Sequence, residues 1–305
     1  MKKKEQRYEL PLLLAGIIWG SSFVSGKIGV EHVDPVLFSF LRYVMASLSV
    51  LVVLLFYKNF DRSLFRDRTI WAISGFNAVA MVLQNIGMTM TTATNSVLLI
   101  NINIVFIAIL AIFILGDRMT KQVGLGLMVG LIGVFVISTN GDISSIGGGS
   151  FLGNLFVFTA GILWAFYVVF YSKLLNAGKD LLSSTMTIIM ITTLILLPIS
   201  LAMSPDTHID GSGWMALVYT GVVCTTVAFV LYAIGLKGLG ATTTSVILLV
   251  EIVFGMFFAF MVLREIPTIS TAIGGAFILL AVVVISIARN GNGKKRKNEE
   301  IPVQE

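Results

Sequence analysis

Residues 83–106, LQNIGMTMTTATNSVLLININIVF, align without a gap on residues 231–254, LYAIGLKGLGATTTSVILLVEIVF, at a constant offset of 148. The register continues outward: Leu115 and Asp117 meet Leu263 and Glu265, Gly126 meets Gly274, and Val136-Ile137-Ser138 recurs as Val284-Ile285-Ser286. Near the amino end, Gly16-Ile17-Ile18-Trp19 returns as Gly161-Ile162-Leu163-Trp164. Self-similarity over this length marks an internal duplication. Both copies are filled with apolar runs of roughly 20 residues, the length a helix needs to cross a hydrocarbon core of about 30 Å. Such runs predict spans at 9–30, 35–57, 70–90, 94–115, 120–139, 150–175, 181–203, 213–236, 241–263 and 267–288. In lipid every backbone polar group needs a partner inside the protein, so runs this long read as helices.

Ten spans divide into five per copy. Because five is odd, a first copy that enters from one face obliges the second to enter from the other, which gives two inverted repeats. The expected fold is an all-α integral membrane protein with a first repeat at 9–139 and a second at 150–288. The stretch Gly147-Gly148-Gly149 joins them, and a basic, polar tail follows at 289–305.

Composition excludes most other classes. Of 305 residues, 56% are hydrophobic and 12% are charged, with a mean hydropathy of +0.94, which is incompatible with a soluble domain. The single cysteine, Cys224, has no mate, and the two histidines, His32 and His208, lie far apart, so neither a disulfide framework nor a metal or haem site is expected. The sequence contains no phosphate-binding loop, and no cofactor is expected. The net charge of +5 does not point to nucleic acid. Lys58, Arg62, Arg66, Arg68, Lys173, Lys179, Lys237 and the run Lys294-Lys295-Arg296-Lys297 all fall on one face of the ten-span topology, together with Lys2, Lys3 and Lys4. Basic loops mark the cytoplasmic side, so both termini are expected there, in a multi-pass protein of the cell membrane. The leader MKKKEQR resembles a signal peptide, but its helix has a counterpart at 161–164 and is expected to remain uncleaved.

Several motifs carry a resemblance. They are Trp19-Gly20-Ser21-Ser22-Phe23 in the first span, Phe40-Leu41-Arg42 in the second, and Gly116-Asp117-Arg118-Met119-Thr120 and Arg264-Glu265-Ile266-Pro267-Thr268 closing the fourth and ninth. With the duplication, they make the chain similar to the drug/metabolite transporter superfamily, in particular to ten-helix transporters with paired EamA-type domains. The resemblance covers nearly the whole chain and implies export or exchange of amino acids, sugars or related metabolites. It departs from the pattern at Ile104 and Ile252, where such transporters often have proline. Without those prolines, no helix break is expected at mid-membrane.

Ionisable groups at the bilayer centre cost about 2.5–3.5 kcal/mol on insertion scales, so each is a functional candidate. Glu251 stands halfway through the ninth span, and its counterpart Asn103 halfway through the fourth. Either they face the substrate or they hydrogen-bond across helices as glue. Glu251, with no basic residue in its own span, reads as a protonatable group coupling transport to protons or as an anchor for a substrate amino group. Arg42 and Lys27 lie nearer the outer ends of their spans, where a long side chain can snorkel to the interface. Asn77 and Gln84 share one helix face and line a cavity or bind neighbouring helices. Trp19, Trp164 and Tyr167 are candidate cavity walls, while the depth of Tyr171 favours an aromatic belt. The expected substrate-binding set is Glu251, Asn103, Trp19, Trp164, Gln84, Tyr167, Asn77 and Arg42.

The function expected is secondary transport of a small polar metabolite, such as an amino acid, by alternating access, in a monomer or homodimer embedded in the lipid bilayer. An intramembrane enzyme would need a nucleophile with a base, paired acids or metal ligands, and none is visible. A channel would show charge rings or a filter loop. A structural or sensory membrane protein fits the hydropathy and would differ by transporting nothing.

Overall fold

A computed structural model describes residues 2–115, 121–203 and 207–299. The motif 116–120 that closes the fourth span lies outside them. Among the described residues the secondary structure is helical, in the order α1 (Lys2–His32), α2 (Pro35–Leu54), α3 (Arg68–Met90), α4 (Ala93–Ile100), α5 (Asn103–Leu115), α6 (Lys121–Thr139), α7 (Gly149–Asn176), α8 (Leu181–Met203), α9 (Gly211–Val218), a wider π-helical segment (Tyr219–Val227), α10 (Ala228–Ile247), α11 (Val250–Leu263) and α12 (Ile269–Glu299). Seven helices or helix pairs are long and apolar enough to cross a membrane, and three shorter apolar helices complete the ten spans. The fourth span is α4 followed by α5. The ninth begins within α10, after a kink at Gly240, whose φ of 74° suits glycine, and continues as α11.

Loop contacts respect the alternation of the spans. On the face that carries the termini, Tyr57 donates to Asp180 at 2.9 Å and Lys179 pairs with Asp67 at 3.9 Å. On the distal face, His32 meets Asp210 at 2.7 Å, Thr268 donates to Asn140 at 2.9 Å, and Glu265 accepts from the Ala93 and Thr94 N–H groups at 2.8 Å each. Glu265 thereby caps the start of the fourth span with a carboxylate from the end of the ninth, where the helix N-terminus favours negative charge.

The repeats interlock rather than sit side by side. The first span packs chiefly on α10 and α11 of the second repeat, while α7, the sixth span, packs on α3, α4 and α5 of the first. Glycines set these crossings: a Cβ on Gly20 would lie 2.8 Å from the Gly255 nitrogen, and one on Gly161 would lie 2.9 Å from the Ile100 carbonyl oxygen. Backbones approach this closely only over small residues.

One expectation is overturned. The fourth and ninth spans are both broken at mid-depth without proline, at 101–102 and 248–249. Helical pairing shortens to three-residue steps there, as Val105 N–H donates to Ile102 O and Glu251 N–H to Leu248 O, both at 2.9 Å. The Asn101 side chain also donates back to Val97 O at 2.8 Å. Tertiary packing accompanies both breaks: Gly161 lies against Ile100 and Ile102 at one, and Gly16 lies against Leu248, Val250 and Glu251 at the other.

Candidate functional site

Each break places a polar residue at the start of the helix that follows it, Asn103 in α5 and Glu251 in α11. A helix N-terminus carries partial positive charge, which makes the first turn of α11 a favourable place for a carboxylate inside the membrane. Both side chains border a cavity of about 50 Å³ at mid-depth, large enough for a few water molecules. Its other walls are Trp19, Ser22 and Phe23 from the first span, Arg42 from the second, Asn77, Ala80, Met81 and Gln84 from the third, Ile100, Trp164 and Phe229. From mid-depth it extends toward the distal face.

A guanidinium and a carboxyl group line this space. Arg42 is only 3% exposed; its Nε donates to Thr225 Oγ1 at 2.9 Å and its Nη2 to Ser22 Oγ at 3.4 Å, which leaves most of its N–H donors without an acceptor among the described residues. Glu251 is 8% exposed. Ion pairs among the described residues join Lys27 to Glu31, His32 to Asp210 and Lys179 to Asp67, so neither Arg42 nor Glu251 has a charged partner. A buried charge without a partner is costly, and a ligand of complementary charge relieves that cost.

The aromatic walls are fixed by neighbours in both repeats. Trp19 donates its indole N–H to Cys224 O at 2.9 Å, within the π-helical segment, and meets Trp164 edge-on at 5.7 Å. Trp164 stacks on Tyr167 at 4.4 Å. Asn77 donates to Tyr43 Oη at 2.7 Å and to Thr192 Oγ1 at 3.2 Å, while its carbonyl oxygen is buried without a partner.

The structure brings seven of the eight expected site residues to one cavity: Glu251, Asn103, Trp19, Trp164, Gln84, Asn77 and Arg42. Tyr167 stands behind Trp164 instead. Arg42 does not snorkel; hydroxyls from the first and eighth spans hold it inward. Lys27 is held away from the cavity, donating to Met88 O at 2.8 Å. Tyr171 belongs to no interfacial belt, since it is fully buried and hydrogen-bonded to Thr185 at 2.5 Å. Sequence reasoning missed Ser22, Phe23, Ala80, Met81, Ile100 and Phe229. Ser22 lies one turn beyond Trp19, and Phe229 is the repeat counterpart of Met81, so spacing and register held the signal for both.

Comparison with known proteins supports the same architecture. The sequence pattern of the EamA-like transporter family matches residues 6–139 and again 151–287. A protein of Archaeoglobus fulgidus described as an uncharacterized transporter is 29% identical over 286 residues, covering 92% of this chain and 97% of its own. The uncharacterized transporter YyaM of Bacillus subtilis is also 29% identical over 286 residues, covering 90% of this chain and 92% of its own. A crystal structure 17% identical in sequence shares the fold with a TM-score of 0.67 over 93% of this chain and 97% of that one.

Proposed function

The chain belongs to the EamA-like transporter family, and from that premise we propose that it is a secondary transporter of small zwitterionic metabolites such as amino acids. The observation that carries this reading is the pair of buried ionisable groups, one basic and one acidic and neither with an ion-pair partner among the described residues, on one mid-membrane cavity. Arg42 has free donors for a carboxylate, and Glu251 offers an acceptor for an ammonium group. Trp19 and Trp164 supply apolar walls, and Asn103 and Gln84 add neutral hydrogen-bonding groups.

The duplication supports alternating access, in which rocking of one inverted repeat against the other exposes the site to each face in turn. The repeats of this reading are residues 9–139 and 150–288, with both termini in the cytoplasm and the monomer as the transporting unit. Glu251 has a second use in the same cycle, taking up a proton when the ammonium leaves, which couples flux to the proton gradient.

The test is a thermal-shift screen of amino acids, their decarboxylated amines and their deaminated acids on purified protein, since a ligand of the folded state alone raises the melting temperature. The zwitterions are expected to stabilise, and both truncated series to do so weakly or not at all. Equal stabilisation by amine and amino acid would remove Arg42 from recognition and sink the zwitterion reading.

A further inference from the structure

The eighth span changes its winding partway along. Between Tyr219 and Val227 its turns are π-helical, and among the described residues no other stretch is. The Ala228 N–H reaches back five residues to Val223 O, and the Thr225 and Thr226 hydroxyls reach back five to Thr220 O at 2.9 Å and Gly221 O at 3.5 Å. In an α-helix such hydroxyls bond the carbonyl four residues back, as Thr220 does to Ala216 O at 2.7 Å. Thr220, Val222, Val223, Thr225, Thr226 and Val227 are all β-branched, and such side chains crowd the preceding turn of an α-helix. Single π-helical turns are rare and gather at functional sites.

What this turn touches is the basic wall of the cavity. Gly221 sits so close to the second span that a Cβ there would lie 2.6 Å from Arg42 O. Thr225 is fully buried, and because its hydroxyl proton goes to Thr220 O, its Oγ1 is left to accept from Arg42 Nε at 2.9 Å. Thr225 does not itself border the cavity. The matching stretch of the first repeat, residues 71–79 at the offset of 148, is ordinary α-helix within α3. It meets Ile188, which stands as far past Asp180 as Arg42 does past Asp34, and Ser74 there donates to Ile188 O at 3.3 Å. The wide turn thus occurs where this helix meets a guanidinium and not where its counterpart meets an isoleucine.

A guanidinium offers five N–H donors in a fixed planar fork. Its side edge, Nε with Nη2, is taken by Thr225 Oγ1 and by Ser22 Oγ at 3.4 Å. The end edge, Nη1 with the other Nη2 proton, is left for a solute. A carboxylate accepts two parallel bonds from such a fork, so the hydroxyls decide which edge it meets. We infer that Thr225, set in place by the π-helical turn, is a positioning residue for Arg42: it holds Nε and presents the Nη1 and Nη2 edge to the carboxylate of the solute. The use for a carboxylate rests on the zwitterion reading above; the hold on Nε does not.

The hold is read without a solute, by NMR of protein carrying isotope-labelled arginine. The Arg42 Nε–H, identified by its loss in Arg42→Lys, is expected to exchange with water about tenfold or more slower than those of the exposed Arg62 and Arg66. Thr225→Val keeps the shape but offers no acceptor, and is expected to remove that protection; Thr225→Ser is expected to restore it. Thr226→Val loses bonds of the same kind, to Ser49 and Ala46 O, without touching Arg42, and is expected to leave the protection in place. Where Thr225→Val does not fold, the wild type decides alone: a protected Nε–H supports the hold, and one exchanging as fast as those of Arg62 and Arg66 overturns it. Protection that survives in a folded Thr225→Val overturns it as well. The amino-acid panel is then repeated on both Thr225 variants, where the rise in melting temperature is expected to shrink with Val and return with Ser. Lost protection with an unchanged rise would keep the hold on Nε and sink the carboxylate reading, whereas a lost rise with protection intact would do the reverse.

Discussion

Asn103 in the first repeat and Glu251 in the second occupy the same register, each opening a helix after a break, yet only Glu251 is ionisable. The second spans of the repeats differ in the opposite sense. Counted from the capping residues Asp34 and Asp180, Arg42 corresponds to Ile188, which is fully buried. Each half thus contributes one ionisable group, basic in the first and acidic in the second, opposed by a neutral counterpart. Duplication supplied a symmetric frame, and divergence placed a basic group on one side of the cavity and an acidic group on the other.

That contrast breaks most sharply at Glu251. Glu251→Gln retains shape and hydrogen bonding but loses the charge, so solute flux into proteoliposomes is expected to fall by one to two orders of magnitude, corresponding to ~1.5–3 kcal/mol for a charge-assisted hydrogen bond. Asn103→Ala is expected to cost only a few-fold. Equal losses at both positions would show that the site works by symmetry and not by charge. If Glu251 also carries protons, the pH dependence of flux disappears in the Gln variant while the melting temperature holds.

The glycine crossings sharpen the comparison on the side of stability. Gly20→Ala and Gly161→Ala each force a Cβ against backbone, at 2.8 and 2.9 Å. Each is expected to destabilise by about 1–3 kcal/mol, read as a lower melting temperature. A silent Gly161→Ala beside a damaging Gly20→Ala would mean that the sixth span is the more tolerant of the two. Glu265→Ala removes the carboxylate that caps the fourth span, with an expected loss of about 1 kcal/mol. Glu265→Gln should restore part of it, since an amide oxygen still accepts.

The smallest effect concerns Asp210 on the distal face. Its pKa is held below the usual carboxylate value, first by the Gly213 backbone N–H at 2.7 Å and further by His32. A carboxyl group with a lowered folded-state pKa stabilises the fold above its unfolded-state pKa, and this contribution is lost as the pH falls through the folded-state value. The melting temperature of the wild type is therefore expected to drop slightly more than that of Asp210→Asn on acidification below about pH 4. Parallel curves would assign the acid sensitivity to other carboxylates.

The number and placement of the spans were legible because hydropathy is a local property and the repeat checks it twice. The breaks at 101–102 and 248–249 were not, since neither contains proline or glycine; the residues packed against them, Gly161 and Gly16, are distant in sequence and belong to the opposite repeat. The inward anchoring of Arg42 was not legible for a related reason. Depth along its own span pointed to the interface, but the hydroxyls that hold it inward come from Ser22 and Thr225, in two other spans. Asn103 and Glu251 were legible because a polar group at mid-span stands out against apolar neighbours, whatever the packing.

The interlocking of the repeats bears on how the protein is made. The first span finds its main packing surface on α10 and α11, more than 200 residues later in the chain. At roughly 5–20 residues per second of synthesis, its partners follow after about ten to forty seconds. During that interval Gly16 and Gly20 face lipid or the insertion machinery, and the Trp19 indole has no Cys224 carbonyl to meet. Emergence of the ninth span, and not of the fifth, is the event that commits the chain to its native fold, and a nascent chain arrested between the repeats would present quality-control factors with a half-built interface.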